Sequence, residues 1–188
     1  EIMNATTPIA SISQAYLDNP AIAGTVYEEG VRAIHETSRG LALFVDSYRK
    51  LAELQEPVLV EIPLAAFVER IRTLYPDLEW HISIPLSATM FTDENMLRQV
   101  LINLVKNACE AGATAMDVRW NKKLWISNNG APIPADVERE IFVPFFTTKK
   151  NGSGIGLSLS RQMMVRQGRD LCLAERPVPG FQVTFIVS

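Results

Sequence analysis

The chain has 188 residues, 47% of them hydrophobic, and 18 basic against 21 acidic side chains leave a net charge of −3. That is enough apolar material for one or two buried cores, and too little basic charge for nucleic acid to be the main partner. No apolar run is long enough to span a bilayer, and no signal peptide is expected ahead of the first patterned segment. The two cysteines, Cys109 and Cys172, lack metal-ligand spacing and read as small buried residues in a reducing compartment.

Residues 1 to about 55 predict two helices. Ile2, Ala5, Ile9, Ile12 and Tyr16 recur at steps of three and four until Asp18-Asn19-Pro20 breaks the pattern. Tyr27, Val31, Ile34, Ser38, Leu41, Val45, Tyr48 and Ala52 then hold a heptad seam, so a helical hairpin is expected whose seam needs a partner. Two copies forming a four-helix bundle would cover it. Pro8 falls inside the first helix, where it removes one backbone hydrogen bond and kinks the axis. The predicted kink lies beside Glu1 and Asn4.

Glu56-Pro57 ends the second helix and changes the texture. Val58–Ile62 predicts a strand, Leu64–Tyr75 an amphipathic helix, and Leu78 to Ile84 a half-buried strand with His81 facing outward. The segment Asp93 to Ala113, DENMLRQVLINLVKNACEAGA, predicts a helix capped by Asp93. Leu97, Val100, Leu101, Leu104, Val105 and Ala108 form its apolar stripe; Gln99, Asn103, Asn107 and Glu110 form a polar one. Asparagine is a poor interior helix former, and two of them stacked one turn apart suit an amide-oxygen ligand for Mg²⁺ beside phosphates. Strands are expected near Ala115–Trp120, Lys123–Ser127, Leu171–Ala174 and Phe181–Val187, with a helix from Gly154 to about Gln167. Mixed helices and strands over 57–188 predict an α/β sandwich with helices over one sheet face.

The stretch from Asn128 to Ser153 predicts no regular structure, and a loop of that length in a compact domain is usually functional. It opens with SNNGAPIP, carries IFVPFFTTKK and closes with NGSGIGLSLS at the start of a helix. Gly152, Gly154 and Gly156 let backbone amides approach an anion, with Lys149 and Lys150 just before them. Phe142, Phe145 and Phe146 read as plugs that pin one end of a lid.

The Asn-x-x-x-Asn helix, the NNG loop, IFVPFFTTK and GSGIGL, in that order, resemble the ATP-binding domain of sensor histidine kinases within the gyrase, chaperone, kinase and mismatch-repair ATPase superfamily. EIMNATTPI resembles the segment that follows the family's phospho-accepting histidine, and LFVDSYRKL that of nitrogen-regulation-type sensors. The resemblance implies ATP and Mg²⁺, with Asn107 as the metal ligand and Asn103 in the place of the water-activating glutamate of hydrolytic relatives. It implies Glu1 as the base that takes the imidazole proton and Asn4 as the residue that orients water for dephosphorylating the partner. It implies nucleotide contacts from Asn128, Gly130, Thr147, Thr148, Lys149, Gly152, Gly154, Gly156 and Leu157. Glu110 lies on the same face without an assigned role.

The chain departs from the pattern in three ways. The histidine would lie one position before Glu1; neither His35, read as a surface histidine, nor His81 has the motif around it. Asn128 stands where the family has an aspartate accepting from the adenine amine, and Pro132 stands for a glycine of the same box. An asparagine oxygen can still accept, as a neutral group.

An α+β chain is therefore expected, with a dimerisation and phosphotransfer hairpin at 1–56 and a catalytic ATP-binding domain at 57–188. It would form a homodimer that moves a γ-phosphoryl to the histidine and on to a response-regulator aspartate, with phosphatase activity on that regulator as a second function. A kinase-like phosphatase or scaffold, and an ATP-hydrolysing clamp, are the alternatives. The expected location is the cytoplasmic portion of a protein anchored in the bacterial inner membrane by upstream segments.

Overall fold

The computed structural model describes residues 2–52, 56–149 and 152–188, and the chain divides into two compact units, Glu1–Leu54 and Gln55–Ser188. In the first, α1 (Ile2–Leu17) ends just before Asp18-Asn19-Pro20, and α2 (Glu28–Ala52) packs back against it. The connecting turn is held at both ends. Asn19 Oδ1 accepts from the Ala21 amide (3.0 Å), and Glu28 Oε2 accepts from the Gly24 amide (2.7 Å). That amide first, and then the Arg32 guanidinium, hold the Glu28 carboxyl below its ordinary pKa. Pro8 lies inside α1.

His35 differs from expectation. It is half-buried between the helices, with Nδ1 3.1 Å from the Ala10 carbonyl oxygen and 3.2 Å from Ser13 Oγ. Ser13 and Ser38 are buried, whereas the apolar seam around them remains open: Ile12 is 58% exposed, Ile34 53% and Leu41 43%. The side chains of Tyr48 and Ala52, also assigned to the seam, lie outside the described residues, as do Glu1 and the side chain of Asn4. No helix among the described residues is long and apolar enough to cross a membrane.

The second unit starts with β1 (Val60–Pro63), α3 (Leu64–Arg72) and β2 (Glu79–Ser83), followed by β3 (Thr89–Thr92) and α4 (Glu94–Glu110). Then come β4 (Ala115–Trp120), β5 (Leu124–Asn128), α5 (Gly156–Val165), β6 (Leu171–Leu173) and β7 (Val183–Val187). β1 and β3 form an antiparallel pair, while the other strands form one sheet in the order β2-β4-β5-β7-β6, parallel only between β2 and β4.

Register divides the side chains of this sheet into two faces, because directly opposed residues point the same way and successive ones alternate. One face carries the row Ile82, Val118, Ile126, Phe185 and Leu173. The opposite face carries His81, Asp117, Ser127 and Thr184, with Asp117 paired to Arg119 at 2.6 Å. The apolar stripes of α4 (Leu97, Val100, Leu101, Leu104) and α5 (Leu159, Met163, Met164) are buried, and the two helices pack together. Burying each such side chain is worth about 1.5–3 kcal/mol, which outweighs the several tenths that each interior asparagine costs a helix. α4 can therefore afford a polar stripe.

The start of α4 and the end of α5 are tied together. Asp93 caps α4 by accepting from the Met96 amide through Oδ1 (2.9 Å), and its Oδ2 accepts from the Val58 amide (2.8 Å). Gln167, just beyond α5, accepts the Asp93 amide (2.7 Å) and the Thr92 hydroxyl (2.6 Å) through Oε1. The cysteines do not follow the sequence reading fully. Both are free, but Cys109 is exposed on α4 and Cys172 is half-buried.

Candidate functional site

Asn103 and Asn107 are one helical turn apart on α4, and their spacing directs both side chains to the same side. They border a cavity of about 550 Å³, which residues from 131–149 and 152–155 and the start of α5 line from the other side. Thr147, Thr148, Lys149, Gly152, Gly154, Gly156 and Leu157 line it, as do Glu110 and Asn128. Residues that were singled out over a span of more than fifty positions thus share one space.

One end of the cavity is bordered by glycines and the start of α5. Asn103 is held in place by donating its Nδ2 to Ser160 Oγ at 3.0 Å. Its Oδ1 lies so close to Gly156 that a β-carbon there would overlap it. Gly156 opens α5, whose free amides and positive dipole end face this space. Gly154 has φ of +66°, and a β-carbon on it would strike the Phe145 carbonyl group. The Phe145 amide in turn donates to the Gly154 carbonyl oxygen (2.8 Å), so the two segments cross at van der Waals distance. Phe146 lines the cavity, while Phe142 packs edge-on against Phe185 at 6.3 Å.

A cation already lies against the polar stripe. Lys149 Nζ donates to Asn107 Oδ1 at 3.0 Å and to Glu110 Oε2, joining the loop to α4. The sequence offers no signal for this bridge, whose partners are 42 and 39 residues apart. Among the described residues no group of three or more His, Cys, Asp and Glu side chains could hold a metal ion.

The other end is apolar, lined by Ala108, Ile133, Ile141, Val183 and Phe185. Asn128 is the exception. It closes β5 in the row Trp80, Met116, Asn128, Val183, where every neighbour is apolar, and it is 5% exposed. Its Oδ1 accepts from the Gly130 amide at 3.0 Å. Gly130 is pressed between this oxygen and Ala111, and Ala131 donates its amide to the Ala111 carbonyl oxygen (2.9 Å). Asn129 fastens the same turn by accepting from the Thr114 and Ala115 amides, each at 2.9 Å. Ser160, Val183 and Phe185 were not foreseen as site residues. Only strand alternation marks the last two, and it does not distinguish a cavity wall from ordinary core.

The sequence family described as histidine kinase-, DNA gyrase B-, and HSP90-like ATPase matches residues 92–188, the portion that contains all of this site. The signal transduction histidine-protein kinase AtoS of Escherichia coli (strain K12) is 32% identical over 143 residues, covering 72% of this chain and 22% of AtoS. The chain thus spans about a fifth of that relative's length. The catalytic domain of histidine kinase ThkA superimposes with a TM-score of 0.59 at 28% identity, over 69% of this chain and 93% of that domain. A second ThkA structure, in complex with the response regulator protein TrrA, covers all of this chain and 57% of that one at 21% identity and a TM-score of 0.62, and shows likeness of fold.

Proposed function

We propose, from the premise that the chain belongs to the histidine kinase-, DNA gyrase B- and HSP90-like ATPase family, that it is the catalytic core of a sensor histidine kinase. Its ATP-binding unit would deliver a γ-phosphoryl to a histidine one position before Glu1, and from there to an aspartate of a response regulator. The observation that carries this reading is the cavity itself. An anion cradle at Gly152–Gly156 and an oxygen-donor stripe on α4 lie at one end, and an apolar slot with one polar side chain lies at the other. A triphosphate and a base make those two demands.

The α4 stripe fits a divalent cation. Asn107 Oδ1 and Glu110 Oε2 together accept a cation in this structure, the Lys149 ammonium, and hard oxygen donors of this number suit Mg²⁺ held partly by phosphates. Bound there, Mg²⁺ would neutralise charge on the transferring phosphates. Asn107 would hold it, and Lys149 would turn from α4 to phosphate. Asn103 is an amide fixed to Ser160 and cannot take a proton from water, which favours transfer over hydrolysis. Restoring a histidine before Glu1 should give acid-labile phosphate from labelled ATP that chases onto a receiver domain. Label released only as inorganic phosphate would instead support an ATP-hydrolysing clamp.

Residues 1–56 would serve dimerisation and phosphotransfer. The exposed seam supports this, because Ile12, Ile34 and Leu41 remain 43–58% exposed. The protein is expected to be a dimer at micromolar concentration by light scattering, and Leu41→Asp should shift it toward monomer by burying an unpaired charge. A monomeric mass for the natural chain would exclude the bundle.

The loop should also be sensitive at Gly154. Gly154→Ala forces a side chain into left-handed backbone, at about 1–2 kcal/mol, and against the Phe145 carbonyl as well. ADP affinity should fall severalfold, and the unfolding midpoint should fall by several degrees, about 2–8 °C for strain of that size. Unchanged ADP affinity would separate this crossing from nucleotide binding.

A further inference from the structure

Asn128 is the one polar side chain in an apolar row of the sheet, at the end of the cavity away from the glycine cradle. A group so placed meets the polar edge of whatever enters the slot, and its hydrogen-bonding sense sets which edge is accepted. The fold determines that sense. Oδ1 is turned to the Gly130 amide (3.0 Å) and packed behind Gly130, which is itself wedged against Ala111. Because the amide is planar, Nδ2 lies on the opposite side, and it makes no hydrogen bond among the described residues. Nor is it a fully buried atom lacking a partner; the only such side-chain atom among the described residues is Trp125 Nε1. The group presented to the cavity is therefore a donor.

The geometry points to a base site that prefers 6-oxopurine nucleotides, those of hypoxanthine and guanine, over adenine nucleotides, with Asn128 as the specificity-determining residue. This rests on the reading of the cavity as a nucleotide site. A 6-oxo group accepts from Nδ2, whereas the adenine 6-amine opposes it donor to donor. An aspartate in the same pose would keep one oxygen on the Gly130 amide and turn the other, an acceptor, to the cavity.

IDP is the discriminating probe, since it carries the 6-oxo group without the 2-amine of guanine. Isothermal titration of the chain with ADP, IDP and GDP in Mg²⁺ should show IDP binding about five- to tenfold tighter than ADP. Asn128→Asp should reverse that order. ADP binding as well as or better than IDP to the natural chain overturns the inference and leaves the nucleotide site intact, because it would mean that Oδ1 serves both Gly130 and the base. An order that Asn128→Asp leaves unchanged overturns it as well, because the base would then be read elsewhere. Absence of binding by any of the three to the folded chain overturns the inference together with the nucleotide reading beneath it. An Asn128→Asp variant that does not fold leaves the IDP-to-ADP ratio of the natural chain as a sufficient test.

Discussion

Asn107→Ala is expected to abolish Mg²⁺-dependent nucleotide binding while leaving the protein folded and equally stable. Asn107 is half-buried at the cavity edge, and among the described residues its side chain makes a single hydrogen bond, the one Oδ1 accepts from Lys149. Removing the side chain opens no hole in the core, because the buried stripe of α4 runs through Leu104, Val105 and Ala108 instead. Alanine is also the better helix former by about half a kcal/mol, so the unfolding midpoint should hold or rise slightly. Lys149 keeps its Glu110 partner, so the loop stays tethered. The functional loss should be far larger. Disrupting even the groups that orient a metal ligand costs about 10–100-fold in metal affinity, and here the proposed ligand itself is removed. Titrating ADP with Mg²⁺ and again with EDTA separates the effects: the variant and the natural chain should agree in EDTA and diverge only with metal. Full Mg²⁺ enhancement in the variant would place the ligand elsewhere on the stripe, with Glu110 the first candidate.

Periodicity made much of this arrangement legible. The apolar stripe of α4 and its Asp93 cap are local signals, and they place Asn103 and Asn107 on one face before any tertiary contact is known. The strands from 115 to 187 lie within about two residues of their predicted bounds for the same reason. Contacts that depend on distant parts of the chain were not legible. The Lys149 bridge, the Ser160 hold on Asn103 and the apolar row around Asn128 each need the register of the sheet or the path of the loop. Asn128 shows the difference most clearly. Its oxygen does accept, as the sequence reading expects of a neutral acceptor, and the donor the fold supplies is the amide two residues ahead. His35 shows it in the hairpin, where a position read as surface is tucked against Ala10 by helix packing.

The roles proposed for Glu1 and Asn4 give the second large effect. In a chain with a histidine one position before Glu1, that histidine and Asn4 would be four residues apart, on one face and one turn from each other. Glu1 would be the next residue along from the imidazole. Autophosphorylation requires that the attacking nitrogen lose its proton as the phosphoryl arrives, and a carboxylate can take it whereas an amide cannot. Glu1→Gln, which keeps size and polarity, should therefore slow phosphohistidine formation by about 10²–10⁴-fold, the usual span of general-base effects. ADP affinity should be unaffected, since the nucleotide cavity is lined wholly by the Gln55–Ser188 unit. Asn4→Ala should behave in the opposite way. It removes a group that can orient water but takes no part in proton removal, so phosphohistidine should form at close to the natural rate while dephosphorylation of a phosphorylated receiver domain slows. The two measurements share one protein and one labelled substrate, and the comparison turns on which rate each substitution changes. If Glu1→Gln and Asn4→Ala lower autophosphorylation and dephosphorylation by equal factors, both residues are serving the geometry of the helix start, and the division between base and water-orienting residue fails.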